Sequence, residues 1–237
     1  MMAVFARWCI GVALVGFGIQ HLIYQTFLTR LVPKLPAWIP WQPFWACLMG
    51  VVLIVAGAAI IWGKHARWAG LLLTAIGLLS VVLLYVPRLA ATPHNPGLWT
   101  NAGKALALAG AGLLVARSLT GLGGLFLSAF LILAGVQHFF YAQFVAGLVP
   151  AWIPGHFFWT YFAGVALIAG GIGMIVPMTR RLAGYLTGSM IFAWVLLLHI
   201  PRALAAPHDA NETTAVFEAL AVTGAAFLVA LTRERES

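Results

Sequence analysis

The chain has 237 residues, of which 63% are hydrophobic and only 8% are charged, with 13 Lys and Arg against 5 Asp and Glu. A typical soluble domain is about 45–50% apolar and about 25% charged, so this chain has too few charges to cover a water-facing surface. A disordered chain is poor in apolar residues, and a nucleic-acid-binding domain clusters its basic residues in one patch. The composition therefore argues against a disordered chain and against a nucleic-acid-binding domain, so we expect no nucleic-acid partner. It predicts an integral membrane protein surrounded by the lipid bilayer.

Eight stretches of the chain are long and apolar enough to cross a bilayer as helices, which takes about 20 residues each. In chain order, the predicted spans are residues 3–24, 44–63, 66–86, 100–117, 120–141, 157–177, 182–201 and 214–232. The first runs on into Gln20 and His21 without a small-residue cleavage site, so we interpret it as a retained helix and not a signal peptide. The predicted fold class is an all-α, polytopic membrane protein.

The distribution of basic residues between the two sides of these spans predicts an orientation. The side of the N-terminus collects Arg7, Lys64, Arg67, Arg117, Arg180, Arg181, Arg233 and Arg235. The other side collects Arg30, Lys34, Arg88, Lys104 and Arg202. Because cytoplasmic loops carry an excess of Lys and Arg, we expect a multi-pass protein of the cell (inner) membrane with both termini in the cytoplasm.

The sequence contains an internal repeat. An offset of 114 aligns residues 36–116 with 150–230 without a gap, and 34 of those 81 positions are identical. The segment from Gly18 to Tyr24 also matches the segment from Gly135 to Tyr141. We predict one four-helix unit in residues 1–117 and a second in 118–237. Because four is an even number, both units have the same orientation as parallel repeats, and we expect two four-helix bundles packed as a pseudo-dimer within one chain.

Several repeated motifs resemble the DoxX-like family of four-helix membrane proteins. They are the Gly-x-x-His of Gly18 and His21, the loop Pro-Ala-Trp-Ile-Pro at 36–40 and 150–154, and Phe-Trp at 44–45 with a glycine at position 50. The resemblance covers essentially the whole chain, twice over. Members of this family are associated with respiratory and redox assemblies, including a thiosulfate:quinone oxidoreductase subunit. The resemblance implies a redox role, a quinone as the possible cofactor and a redox protein as the possible partner.

One position departs from the family pattern. Many members carry an acidic residue in the second helix, a few positions after the glycine, where this chain has Leu53-Ile54 and Leu167-Ile168. The sequence therefore predicts a membrane interior without a carboxylate, which weakens any ion-coupled role. The aligned pair Lys104 and Glu218 suggests an ion pair between the two units.

Four histidines are candidate ligand-binding residues. His21 and His138 end the first helix of each unit, and His94 and His208 follow in the outer loops. An imidazole near hydrocarbon needs a polar partner, so it suggests a functional site. Two to four imidazoles on one face could bind a metal or haem, but their spacing lacks the usual ligand pattern. The simpler interpretation is that each histidine hydrogen-bonds a neighbouring helix or loop.

Arginine and tryptophan supply the remaining candidates. Arg88 and Arg202 follow a proline near the outer interface, where the guanidinium could bind a quinone carbonyl or an anion or extend to lipid phosphate. His199 replaces Tyr85 between the two copies and makes them chemically unequal. Trp38 and Trp152 lie in the Pro-x-Trp-x-Pro loops and form either lids over a ligand pocket or an ordinary aromatic belt. These candidates are Arg88, Arg202, His199, Trp38 and Trp152.

The two cysteines lie at different depths and form no Cys-x-x-Cys pair. Cys9 is near the cytoplasmic end of its helix and Cys47 near the outer end of the next, so a disulfide is not expected.

The function favoured by the sequence is a subunit or accessory of a quinone-linked membrane redox system with an extracytoplasmic ligand pocket. In it Arg88 and Arg202 hold the ligand, and His21 and His138 donate hydrogen bonds or move protons. The alternatives are a transporter or channel between the two units and a non-catalytic membrane scaffold. The sequence leaves open whether the protein is an enzyme.

Overall fold

The computed structural model describes residues 1–33 and 35–232, and the regular secondary structure of this part of the chain is all helix, without β-strands. Eight long helices are long and apolar enough to cross a membrane, which confirms the predicted all-α, polytopic class. In chain order the helices are α1 (Met2–Tyr24), α2 (Gln42–Trp62), α3 (Ala66–Ala91), α4 (Pro96–Ala116), α5 (Thr120–Phe140), the short α6 (Ala142–Ala146), α7 (His156–Ile175), α8 (Pro177–Ala205) and α9 (Ala210–Ala230).

Helices α3 and α8 run further than the sequence predicts, because a proline fails to end either of them. Each helix changes to π-helical geometry just before its proline, at Ser80–Tyr85 and at Val195–His199. Proline has no N–H to donate to the preceding turn, and the wider π-turn lets the chain pass Pro87 and Pro201 without breaking the helix. The predicted ends at residues 86 and 201 were therefore too early by several residues.

Helices α4 and α9 begin about four residues before the predicted starts. The side chain of Asn95 accepts a hydrogen bond from the backbone N–H of Leu98 at 3.2 Å, and Asp209 accepts one from Asn211 at 2.8 Å. These side chains satisfy N–H groups that a helix start otherwise leaves unpaired. The caps stand at aligned positions, so α4 and α9 start in the same way.

The eight spans pack as a ring in chain order, and α4 also contacts α9 across its middle. Helix α1 packs against α2 and α9, and α5 packs against α4 and α7. Helices α4 and α9 are accordingly the most buried spans. Small residues such as Ala105, Ala109 and Gly110 on α4 permit neighbours on several sides. We call the contact surface of α4 and α9 with each other and with α5 and α1 the seam. The division between residues 117 and 118 stays a prediction.

Glycines at aligned positions allow the closest helix contacts. A Cβ placed on Gly18 would lie 2.5 Å from the carbonyl oxygen of Gly50, and one on Gly135 would lie 2.7 Å from that of Gly164. Helix α1 therefore meets α2 as α5 meets α7. In both pairs the backbones touch because neither residue has a side chain.

Hydrogen bonds across the seam also recur at aligned positions. The Gln20 amide donates to the carbonyl of Ala210 and accepts from the Thr214 hydroxyl, each at 3.2 Å. The Gln137 amide donates to the carbonyl of Pro96 at 3.2 Å and accepts from the Thr100 hydroxyl at 2.7 Å. Each glutamine thereby joins the end of one helix to the beginning of another.

Replacing Gly18 by Ala tests the close contact of α1 with α2. The added methyl group would clash with the Gly50 carbonyl and lie 2.6 Å from Ile54 Cγ1, so we expect a destabilisation of about 1–3 kcal/mol. Thermal unfolding of the detergent-solubilised protein measures it. Gly121→Ala is the control, because a Cβ there meets nothing within 4 Å. Equal unfolding temperatures for the two variants would contradict the contact.

Candidate functional site

His21 lies at the end of α1 with one ring nitrogen bonded and the other without a partner. The residue is 1% exposed, and its Nδ1 lies 2.7 Å from the carbonyl oxygen of Phe17. A carbonyl only accepts, so Nδ1 carries the proton and donates it. The buried Nε2 has no hydrogen-bond partner within the described residues. A buried polar atom left unpaired costs free energy, so this nitrogen marks a candidate ligand position.

A cavity of about 210 Å³ lies beside His21 and inside the first half of the chain. Its walls come from α1 to α4, and the α1–α2 loop closes one side with Phe27, Leu31, Val32 and Leu35. The Phe27 ring meets the imidazole edge to face at a centroid distance of 5.9 Å. The lining is apolar apart from His21 and Ser80. The described lining residues include no acidic side chain, so an imidazolium here would be a buried charge without a counter-ion from the cavity wall, and the neutral ring is favoured.

His138 has a similar local bond but a more open position. Its Nδ1 donates to the Ala134 carbonyl at 2.7 Å, and the residue is partly exposed. His138 packs beside Gly164 as His21 packs beside Gly50. The structure therefore places each of these histidines against the second helix of its own half.

The part of the chain that the structure describes holds no cluster of metal-ligating side chains. His94 and His208 are exposed in the loops, and no group of three or more His, Cys, Asp or Glu side chains comes close enough to hold a metal ion among the described residues. His21 and His138 lie on different helices, and His94 and His208 lie in loops. The repeat in the sequence therefore does not by itself assemble a metal site.

An ion cluster lies at the centre of the seam. Glu218 Oε2 on α9 lies 3.0 Å from Lys104 Nζ on α4 and 3.0 Å from an Arg30 nitrogen in the α1–α2 loop. The Glu218 and Lys104 side chains are about one-tenth exposed. The suggested ion pair between Lys104 and Glu218 is confirmed. The expectation of a membrane interior without a carboxylate was wrong. Glu218 lies within the candidate membrane span Ala210–Ala230. At a rise of 1.5 Å per residue, it is about 12 Å along the helix from Ala210.

Arg30 was not identified as a member of this cluster. Its backbone lies in a loop, and its partner is 188 positions away in the chain. Charge balance gave no signal for it, since Lys104 and Glu218 alone already neutralise each other. Glu218 Oε1 is buried and has no hydrogen-bond partner in the described chain.

Arg202 and Arg88 have different surroundings. Arg202 forms an ion pair with Glu212 and donates to the carbonyl of Leu148. Arg88 donates to the carbonyl of Leu84 at 2.7 Å, and Leu84 lines the cavity. Arg88 therefore lies one helical turn beyond the cavity wall, and both guanidinium groups have partners within the protein.

His199 is a further imidazole, partly buried, with one buried ring nitrogen. It lies within electrostatic range of Arg202, Arg30 and Lys104, and its Nδ1 has no hydrogen-bond partner among the residues described. The aligned residue Tyr85 is fully buried and donates to the Leu31 carbonyl at 2.9 Å. The two halves therefore differ here, as the sequence predicts.

The tryptophans of the Pro-x-Trp-x-Pro loops point outward. These loops are irregular, as predicted from their prolines, and Trp38 and Trp152 are 80% and 61% exposed. Neither residue lines the cavity beside His21. Trp45 and Trp159 instead fasten the two loops, each donating from Nε1 to the carbonyl of the loop's second proline. Exposure at this position suits an aromatic belt and does not suit a lid.

The cysteines are both free thiols, as expected from their different depths.

The fold and these contacts define an integral membrane protein of eight apolar helices with a seam ion cluster and an apolar cavity. A family model described as a domain of unknown function (DUF8561) matches residues 127–233, which is most of the second half of the chain. No curated protein and no solved structure matches the chain.

Replacing Glu218 by Gln tests the seam cluster. The change would leave Lys104 buried without a counter-charge. We expect the free energy of unfolding to fall by about 3 kcal/mol. This is the low end of the range for a broken buried pair, because the Arg30 side chain is one-third exposed and stays partly solvated. Unfolding of the purified protein in mixed micelles measures the loss. Exchange of the charges in the double variant K104E/E218K should recover part of it. Wild-type stability for Glu218→Gln would contradict the role of the cluster.

Proposed function

We propose that this protein is a subunit or accessory of a membrane redox system and binds a quinone-type ring in the cavity beside His21. The observation that carries the proposal is the unpaired, buried Nε2 of His21 in an otherwise apolar cavity. Ligand sites are commonly apolar cavities with a few polar groups that fix orientation. In this proposal the reaction partner of the ring is another protein of the same membrane, and this chain positions the ring.

The size of the cavity fits one ring. An engineered apolar cavity of about 150 Å³ holds benzene, whereas drug-sized ligands occupy about 300–1,000 Å³. The 210 Å³ beside His21 accommodates a substituted six-membered ring, with its hydrophobic tail outside. A bound quinone supplies two-electron redox chemistry, and the protein supplies the binding position.

Arg88 is the arginine that we propose to assist this site. It lies at the loop end of α3, one turn beyond Leu84, where it can interact with a polar substituent at the mouth of the cavity. A ligand role would require either arginine to leave a partner within the protein, which is the Leu84 carbonyl for Arg88 and Glu212 for Arg202. His94 and His208 lie in the loops and stay candidates for contact with a partner protein.

Family membership and orientation are part of the same proposal. The repeated Gly-x-x-His and Pro-x-Trp-x-Pro motifs support a tandem DoxX-like protein. The excess of Lys and Arg at the ends and at the turns near residues 64–67, 117 and 180–181 supports a cell-membrane protein with cytoplasmic termini. The loop that covers the cavity then lies on the extracytoplasmic side.

A transporter with a path along the seam is the second candidate. Glu218 favours it, because a buried carboxylate with an unpaired oxygen is a feature of ion and proton pathways. The hydrogen bonds of Gln20 and Gln137 and the contact of α4 with α9 would have to open to allow passage. A non-catalytic scaffold is the remaining alternative and predicts no small ligand.

Retention of quinone after purification tests the proposal. We expect mass spectrometry of a lipid extract to find a quinone in the wild-type protein and at least a fivefold lower amount in His21→Leu. His138→Leu is the matched control, because it removes the aligned imidazole and leaves the cavity unchanged. Bulk phospholipid alone in the wild-type sample, or equal losses in the two variants, would count against the cavity as the site.

Labelling of single cysteines tests the orientation. In a background with Cys9 and Cys47 replaced by Ser, we expect a membrane-impermeant thiol reagent to modify His94→Cys on intact cells and Lys64→Cys only after lysis. Both positions are exposed, at opposite ends of the spans. The reverse pattern would place the termini outside the cell.

A further inference from the structure

The polar groups that line the cavity beside His21 both offer acceptors. The Nδ1 proton of His21 is used on the Phe17 carbonyl, so the neutral ring presents the lone pair of Nε2. The single hydroxyl proton of Ser80 is used in the same way, because Ser80 Oγ donates to the Ile76 carbonyl at 2.8 Å. What Ser80 can still offer is an oxygen lone pair.

The side-chain groups that a ring bound in this cavity can contact are therefore hydrogen-bond acceptors, His21 Nε2 and Ser80 Oγ. A quinone carbonyl also only accepts, so opposite Nε2 it would leave two buried acceptors unpaired, which is costly. Moving the His21 proton to Nε2 would not remove the cost, because the bond to Phe17 would then be lost. A hydroxyl group donates to Nε2 and leaves every existing bond in place.

We infer that the cavity beside His21 selects the reduced, hydroxyl-bearing form of its ring ligand, a quinol or a similar phenol, over the oxidised quinone. This inference rests on the proposed function and specifies which redox state of the ring the site binds. The hydroxyl donates to His21 Nε2, and Ser80 Oγ is available to accept from a second hydroxyl. Preferential binding of the reduced form stabilises it and raises the reduction potential of the bound couple.

The selectivity belongs to the first half of the chain. Gly77 and Ser80 line the cavity, and the aligned positions carry Ile191 and Trp194. Ile191 is buried, and Trp194 packs edge to face on Trp159 at 5.6 Å. The second half therefore has larger side chains, and no hydroxyl, at the positions aligned with Gly77 and Ser80. His138 is therefore the matched imidazole for a control.

Binding of ubiquinone-1 and ubiquinol-1 to the full chain in nanodiscs tests the inference. Titrations are made without oxygen, with the dissociation constant of each form measured for the wild type, His21→Leu, Ser80→Ala and His138→Leu. We expect the wild type to bind the quinol at least tenfold more tightly, equivalent to an increase of about 30 mV in the potential of a two-electron couple. His21→Leu should remove the preference, Ser80→Ala should reduce it, and His138→Leu should keep it.

The outcomes separate the inference from the proposed function. Equal affinity for the two forms, or tighter binding of the quinone, would overturn the selectivity while leaving the cavity as a quinone site. Failure of the wild type to bind either form would overturn both. If His21→Leu does not fold, Ser80→Ala decides the assignment: a preference unchanged from the wild type would show that the lining acceptors do not set it.

Discussion

Water is scarce inside a bilayer, so a polar group there has to find its partner within the protein. This constraint explains most of the contacts that hold the eight helices together. Gln20 and Gln137 satisfy both ends of their amides across the seam. Lys104 and Arg30 share one carboxylate oxygen of Glu218. These bonds specify which helices meet, since apolar side chains alone would pack against lipid equally well.

Buried polar atoms that have not found such a partner are candidates for a functional role. His21 Nε2, Glu218 Oε1 and His199 Nδ1 are buried without a hydrogen-bond partner in the described residues. Of these, His21 lines the defined apolar cavity, whereas Glu218 and His199 belong to the charged surroundings of the seam. The first environment suits a neutral ring with a donor group. The second holds the two halves together and places a carboxylate where a seam pathway would need one.

The two halves share their framework and differ in their cavities. The glycine contacts of α1 with α2 recur between α5 and α7, and the proline-linked π-turns recur in α3 and α8. The differences lie where side chains face inward: Tyr85 against His199, Gly77 against Ile191 and Ser80 against Trp194. A repeated framework with unequal interiors is consistent with one half binding a ligand while the other supports it.

Much of this architecture follows from local sequence. Apolar length gives the eight spans, and self-alignment gives the two halves and the histidines worth testing. The ends of α3 and α8 were misplaced because a π-turn can accommodate a proline that an α-helix cannot. The aligned pair Lys104 and Glu218 was identified because both residues lie at one position of the repeat.

The sequence by itself determined the class of protein, the repeat and the residue types near one face, because hydrophobic length and identity are properties of the chain. Only the tertiary structure decided that Arg30 joins Glu218, that Trp38 and Trp152 face outward, and that one nitrogen of His21 is left open. The physical reason is that hydrogen-bond satisfaction depends on neighbours that are distant in sequence. Whether His21 accepts or donates follows from the Phe17 carbonyl and from the cavity beside it.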